Sequence, residues 1–492
     1  MLERQSPIRE DFRQGYVLLC QLAVALNIVP LTTTNQGHLK EGEPTYNAHL
    51  ARTTWWLIAG VALCLCWGLT GCQSTATLGS NAQQPYQWEG LSHHPAYAWH
   101  RDQSDSATLY VRLPAHEPLH LREHRDQPFR FSLQLDLYLQ PLDGATADSA
   151  GSSQVIPLRY LWTGDADPER KDITASFRLP LTTGRYRVTQ SLSDLHRGAK
   201  VSTATLLDAR STDAAMRALA FDPATGTPAW DQTLVAGKAA ALLIPPDLAD
   251  ALWSYTALPP VDSFPSAPFL DRTPKETRFP PAMMERRPTP ATAADITLPP
   301  GDFAGWGLLM WDAEPGIHRW TLSGGERHIV LPARRPHFPA MRDVQEMIRA
   351  TRYIATRDEY RTMREARDPK RALDAFWLQF ATKPEDARSL IREYYSRVLE
   401  ANVHFAGLRE GWCTDRGMVY IIFGHPDRSR MDRYGETWIY GEEGDINALI
   451  FRFTRRNAAD DYNVFDLERY PGFRSPWEAM VSSWRRGKIR KR

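Results

Sequence analysis

The sequence predicts a multidomain, β-rich chain: immunoglobulin-like antiparallel β-sandwiches, then a helical segment and a small α+β C-terminal domain. Three observations predict it. Short runs of strand character separated by Gly, Pro, Asp and Ser clusters fill residues 90–210. Apolar residues at three- and four-residue steps take over after Pro339. A distinctive motif with short strand candidates follows from Gly411. At 492 residues the chain is long enough for several independent cores. The reading divides it into 1–50, an extension ahead of an export signal; 51–71, the signal; 72–88, a tether; 89–212, a β-sandwich; 213–336, a second β-rich domain with a Pro-rich loop; 337–410, a helical region; 411–475, the α+β domain; and 476–492, a basic tail.

Arg52 precedes a charge-free run at 55–69, which suits the apolar part of a signal peptide and falls short of the ~20 residues a spanning helix prefers. Leu69-Thr70-Gly71-Cys72 follows at once. This pattern resembles the bacterial lipobox, and the resemblance implies cleavage before Cys72, lipid on its thiol, and membrane anchorage through that lipid; the alternative is a retained single-pass helix. Gln73 rather than Asp after the cysteine implies the outer membrane, with the folded body facing the periplasm or the cell surface. Residues 73–84, rich in Ser, Thr, Ala, Asn and Gln, read as a flexible tether. A start codon assigned upstream of the real one accounts for residues 1–50; the alternative is that 16–31, interrupted by Gln21, Asn27 and Pro30, is a buried or interfacial segment.

A formal net charge of +1 gives no pull toward nucleic acid. Of the five cysteines only Cys413 lies beyond the lipobox, so the mature chain has no disulfide framework and rests on packing. The tail carries Arg485, Arg486, Lys488, Arg490, Lys491 and Arg492, which read as a solvated terminus or as contacts for anionic lipid head groups.

In the first β-rich region Phe129, Phe131, Leu133, Leu135, Leu137 and Leu139 alternate with mostly polar residues, so one face is buried and one is wetted. Further strand candidates are 108–113, 155–162, 173–179, 185–192 and 201–206, and in the next domain 240–244, 307–311, 318–322 and 328–331. The prolines between Pro259 and Pro300 forbid a regular helix or a central strand there. Helices are predicted at 341–367, 369–380 and 384–405, the last begun by a Thr382/Glu385 capping box and presenting Ile391, Tyr394, Tyr395, Val398, Asn402 and Phe405 on one face.

The passage Gly411-Trp412-Cys413-Thr414-Asp415-Arg416-Gly417 leads into an apolar run at 419–423, read as a strand, and into the turn Gly424-His425-Pro426-Asp427; Thr437-Trp438-Ile439-Tyr440 and 448–453 read as its antiparallel neighbours. These residues resemble the signature of the GWxTD-domain proteins, exported bacterial proteins whose β-rich domains precede such a region. The resemblance spans residues 340–470, and His425 stands where the family pattern has a second proline. It carries no settled activity. A looser similarity, Gly424-His425-Pro426 ahead of Trp438-Ile439-Tyr440, is to small outer-membrane assembly lipoproteins of the SmpA type, and implies protein–protein contact.

The residues themselves admit several readings. Thr414 and Asp415 can cap a turn, Arg416 can pair with Asp415, Asp427 or Glu436, and Trp412 reads as a core anchor or as a sugar-stacking platform. Asp415, His425, Asp427 and His404 have the residue types of a metal or acid–base site, without any fixed ligand spacing. Cys413 with His425 is a weaker nucleophile pair, with no local activation of the thiol in sight. No cofactor or metal motif is present, and no Gly-rich phosphate loop or nucleophile elbow. The leading expectation is a non-enzymatic, lipid-anchored scaffold that docks an envelope protein through Gly411, Trp412, Thr414, Asp415, Arg416, Gly417, Gly424, Pro426, Asp427, Trp438 and Tyr440. The alternatives are an envelope hydrolase or carbohydrate-active protein with its site near Trp412, Asp415, His425 and Asp427, and a glycan-binding module without turnover.

Overall fold

The structure is a computed structural model; it describes Tyr86 and residues 91–489, apart from 102–104, 123, 143–154, 166, 168–170, 211–213, 261–262, 272–278, 294, 325–326, 432–433, 443–444, 446–447 and 456–462. The signal, the lipobox with Cys72 and residues 1–50 lie outside the described residues, all of which belong to one compact unit, Thr77–Arg492. Among the described residues no helix is long and apolar enough to cross a membrane.

Seven strands build the first sandwich: β1 (Ala96–His100), β2 (Ser106–Pro114), β3 (Arg130–Pro141), β4 (Ile156–Asp165), β5 (Asp172–Pro180), β6 (Arg185–Asp194) and β7 (Lys200–Asp208). They pair antiparallel as β1-β2-β5 and β4-β3-β6-β7. Phe131, Leu133, Leu135, Leu137 and Leu139 of β3 are buried as their alternation demands, against Leu109, Val111 and Ile173 of the facing sheet. Phe129, the first residue of that alternation, falls outside the strand and is exposed. The sequence reading missed β1 because all five of its residues are buried, which erases the period-two signal.

The second sandwich has ten short strands: β8 (Leu219–Asp222), β9 (Thr227–Pro228), β10 (Leu234–Val235), β11 (Lys238–Ile244), β12 (Trp253–Leu258), β13 (Met284–Arg286), β14 (Thr289–Pro290), β15 (Gly307–Ala313), β16 (Gly316–Leu322) and β17 (His328–Arg334). Their orders are β14-β15-β11-β8-β9 and β10-β17-β16-β12-β13. The Pro-rich passage supplies β13 and β14, each at the edge of a different sheet, where a missing N–H is tolerated. Ala98 and Tyr110 of the first sandwich share an apolar core with Phe221, Leu243, Phe303 and Trp306 of the second, and the Tyr110 hydroxyl donates to the Pro300 carbonyl at 2.8 Å. The two sandwiches are therefore joined by a buried seam.

The C-terminal domain contains α1 (Val344–Ala350), α2 (Arg357–Glu365), α3 (Pro369–Leu378), α4 (Pro384–Phe405), α5 (Asp415–Phe423), a sheet β18-β19-β20-β21, and α6 (Arg474–Arg485). Its strands are β18 (Arg428–Met431), β19 (Gly435–Tyr440), β20 (Leu449–Arg455) and β21 (Phe465–Leu467). Several expectations change here. The predicted helix at 341–367 is two helices, parted by a 3-10 turn at Thr351–Tyr353. The capping box is at Thr356 and Glu359 rather than Thr382 and Glu385, because Pro384 takes the first helical position and leaves Lys383 as N-cap. The apolar run 419–423 is not a strand: it is the end of α5, buried from Val419 to Ile422 and half-buried at Phe423, and a run with no polar face carries no period to separate helix from strand. The predicted division between helical region, α+β domain and tail also dissolves, since Tyr394, Trp412, Trp438, Trp477 and Trp484 share one core. Tyr86, expected in the tether, is buried in that same core.

The basic tail is likewise partly structural. Trp484 is fully buried and its indole N–H donates to the Ile422 carbonyl at 3.0 Å. Arg485 meets both carboxylate oxygens of Glu359, at 2.7 and 2.9 Å, and with the Thr356 N–H holds that carboxyl down to about 2. A depressed carboxyl contributes stability that is complete above its ordinary 4.5 and is lost as pH falls through the range from 4.5 to about 2. Both side chains are about a quarter exposed, so solvent screening limits the contribution to about 1–2 kcal/mol. Arg485→Gln should be less stable than wild type by that amount in urea unfolding at pH 7, and the gap should close by about pH 2.

Candidate functional site

Gly411–Cys413 form a 3-10 turn wedged against α4, and both glycines of the motif are required by space. A β-carbon on Gly411 would sit 1.8 Å from the Ala401 carbonyl oxygen, and one on Gly417 would sit 1.9 Å from that of Gly411. The turn is pinned further by Asn402, whose side-chain oxygen accepts from the Trp412 N–H at 3.3 Å and whose amide donates to the Pro339 carbonyl at 2.9 Å.

Trp412 is fully buried, with Phe264 edge-on at 5.4 Å and the Arg349 guanidinium 5.5 Å from its ring centre. Phe264 comes from the Pro-rich passage, which straps the second sandwich to this domain: Arg469 donates to the Ser266 carbonyl at 3.2 Å and the Tyr470 N–H to that of Pro268 at 3.1 Å. Trp412 therefore has no face to offer a sugar ring, and the stacking-platform reading is overturned by burial.

Thr414 is the N-cap of α5, its hydroxyl accepting from the Gly417 N–H at 3.0 Å. Asp415 opens the helix, where a carboxylate complements the dipole, and accepts from Arg469 at 2.7 and 3.1 Å and from the Leu467 N–H at 2.8 Å. Burial pushes its carboxyl above the usual range, against the pull of Arg469. Arg416, 1% exposed, chooses Glu436 among its predicted partners, at 3.0 Å, and also donates to the Asn463 carbonyl at 3.1 Å and the Tyr86 hydroxyl at 3.2 Å. Its guanidinium lies 3.9 Å from the ring centre of Phe465. Trp438 is fully buried and donates to Glu436 at 2.7 Å.

The second half of the motif closes the far end of α5. Gly424 adopts a positive φ of 83° as C-cap, and Arg397 donates to the carbonyls of Ile421 and Ile422 at 3.2 and 3.4 Å. Tyr440 donates to the Gly424 carbonyl at 2.8 Å, and Asp427 accepts from the Gly441 N–H at 2.6 Å. Pro426 is buried, and Asp427 is the one exposed residue among the predicted docking set.

The proposed acid–base or metal cluster is not assembled. Asp415 is tied to Arg469, Asp427 to Gly441, the half-buried His425 to the Pro426 carbonyl at 3.1 Å, and the buried His404 packs 5.1 Å from the Tyr86 ring. Among the described residues no group of three or more His, Cys, Asp or Glu could hold a metal ion. Cys413 is 3% exposed inside the core, which withholds it from any substrate. Sequence reasoning missed Arg469, Asn463, Arg397, Phe264 and Tyr86, all partners brought in from outside the motif; none carries a spacing signal.

A second feature is built by the fold rather than by any motif. A cleft of about 360 Å³ lies where both sandwiches and the C-terminal domain meet, with walls that include Tyr97, Arg112, Trp230, Asp231, Phe338 and His404. Asp231 and Gln232 have φ of 51° and 53°, a left-handed conformation that non-glycine residues rarely adopt. It carries the Asp231 carboxylate to the Tyr97 N–H at 3.2 Å. Asp231 is exposed by surface area, yet the protein massed around it pushes its carboxyl up to about 6 against the pull of that N–H and of Arg112.

Residues 321–486 match the GWxTD domain, from the end of β16 to α6. No curated protein matches the chain.

Proposed function

We propose that this chain, with its GWxTD domain at residues 321–486, is a non-enzymatic assembly protein of the bacterial envelope: lipid on Cys72 holds it to the outer membrane, the sandwiches form a stiff arm, and the C-terminal domain docks a partner protein. One observation carries the non-enzymatic part. The motif's buried charges are engaged within the fold, Asp415 with Arg469 and Arg416 with Glu436, and the exposed Asp427 is tied to the Gly441 N–H, whereas general acid–base work needs a set of groups within reach of substrate.

The buried seam between the sandwiches supports a stiff arm. The facing orders β1-β2-β5 and β4-β3-β6-β7 support an immunoglobulin-like reading of the first module, and such modules serve as spacers and binding platforms. Tyr86 is fourteen residues beyond Cys72, an extended reach of roughly 50 Å, so lipid on that cysteine would keep the C-terminal domain near the membrane surface.

Docking moves off the motif and onto the outward face of the β18-β21 sheet. There Arg430 and Arg452 flank Thr437, and Arg428 and Ile450 flank Ile439; the three arginines and Ile450 are exposed. Ile439 itself is buried, so the face a partner would meet is the three arginines with the exposed Ile450, and such a face suits an acidic partner surface. Crosslinking in cells followed by pull-down of the tagged chain should capture a stoichiometric envelope protein with wild type and lose it with Arg452→Glu, after both are shown to fold and reach the membrane. No partner for wild type, under conditions that trap known envelope assemblies, would end the docking reading.

A further inference from the structure

We propose that the three-domain cleft binds an anionic amphiphile, a carboxylate or phosphate head on an apolar body, with the head group held by Arg112 beside Trp230. The first support is the hydrogen-bonding character of the walls. The Tyr97 hydroxyl, Arg112 Nε and Trp230 Nε1 are buried atoms with no hydrogen-bond partner among the described residues. Indole and guanidinium nitrogens can only donate, so this wall is short of acceptors; these three atoms are themselves closed to solvent, and a carboxylate or phosphate in the cleft would meet the outer nitrogens of the Arg112 guanidinium.

Charge points the same way. The lining includes three arginines, Arg112, Arg334 and Arg335, against one carboxylate, Asp231. Arg334 donates to the carbonyls of Gly407 and Arg409, and Arg335 meets Glu346 at 2.8 Å. Arg112 is left to serve a ligand: its guanidinium lies over the Trp230 ring at 5.4 Å, which fixes it in place without using its donors. The remaining wall is largely apolar, with Leu91, Val201, Leu206, Val235, Val330 and Phe338, and can take a hydrocarbon chain or ring.

The left-handed pair Asp231 and Gln232 sets this geometry, since it ties the turn bearing Trp230 to β1 of the other sandwich. Asp231 also supplies a test of sign. A carboxylate close to the head-group site opposes an anion, so Asp231→Asn should tighten binding while Arg112→Gln loosens it; a purely structural role for the two residues gives no such opposition.

The experiment is isothermal titration of the full chain with dodecanoate, dodecyl phosphate, dodecyltrimethylammonium and dodecyl maltoside, each below its micelle concentration. The expected result is one-to-one binding of at least one anion, at least tenfold tighter than the cation or the maltoside. Arg112→Gln and Trp230→Phe should weaken it, the first by tenfold or more, and Asp231→Asn should strengthen it. Preference for dodecanoate or for dodecyl phosphate identifies the head group as an organic acid or a phosphate of the lipid type. Equal binding of cation and anion by wild type overturns the proposal and needs no variant to fold; so does the absence of anion binding, or an unaltered affinity in a folded Arg112→Gln. The partner pull-down plays no part in these readouts, so the cleft and the docking face fail separately.

Discussion

A Gly417→Ala variant should lose about 3 kcal/mol or more of stability, read as a fall in the urea midpoint of the C-terminal domain. Neither Gly417 nor Gly411 has a positive φ, so conformational freedom is not the reason for glycine at either position. Space is. The new methyl would stand 1.9 Å from the Gly411 carbonyl oxygen and 2.8 Å from its carbon, and that turn cannot retreat because a β-carbon on Gly411 would itself be 1.8 Å from the Ala401 carbonyl oxygen. Overpacking typically costs about 1–3 kcal/mol when side chains can move aside. Here backbone must separate from backbone, and the N-cap bond from Gly417 to Thr414 is broken with it. Gly198 is the control: it has a φ of 71° with nothing within 4 Å, so its alanine variant meets only the left-handed penalty of about 1 kcal/mol.

The second large effect belongs to Arg416. Replacing it with Ala leaves Glu436 buried at 2% exposure without its cation, and should remove about 3–5 kcal/mol. Replacing both partners with uncharged residues of similar volume, Arg416→Met with Glu436→Gln, which keeps an acceptor for Trp438, should restore much of that loss, because the penalty comes from the stranded charge more than from the missing attraction. A double variant as damaged as Arg416→Ala alone would instead show that the bonds to Asn463 and Tyr86 carry the effect. Urea unfolding of wild type, Arg416→Ala and the double variant separates these outcomes.

These two predictions explain why the motif was visible in the sequence while its role was not. Gly411, Trp412, Thr414, Asp415, Arg416 and Gly417 stand out by type and spacing, and the capping role of Thr414 and the Arg416–Glu436 pair were legible from chemistry alone. Whether Trp412 faced solvent or core was not, because the residues that cover it, Phe264 and Arg349, lie far away in the chain. The β3 alternation was legible because one face is wet. β1 and α5 were not, because burial on all sides removes the polar half of any period. The cleft was the least legible feature, since its walls come from segments more than 300 residues apart, such as Tyr97 and His404, and belong to no shared motif.

The central claim is that the motif is the interior framework of the C-terminal domain and not a surface for chemistry or contact. Cys413 sits inside it at 3% exposure and is the one cysteine of residues 73–492, so it serves as a native probe. The measurement is the rate at which a water-soluble thiol reagent modifies Cys413 in the folded protein, followed at that residue by mass. The account predicts modification no faster than opening of the whole domain, and acceleration in Gly417→Ala. Modification at the rate of an exposed thiol in stable, folded wild type would contradict it.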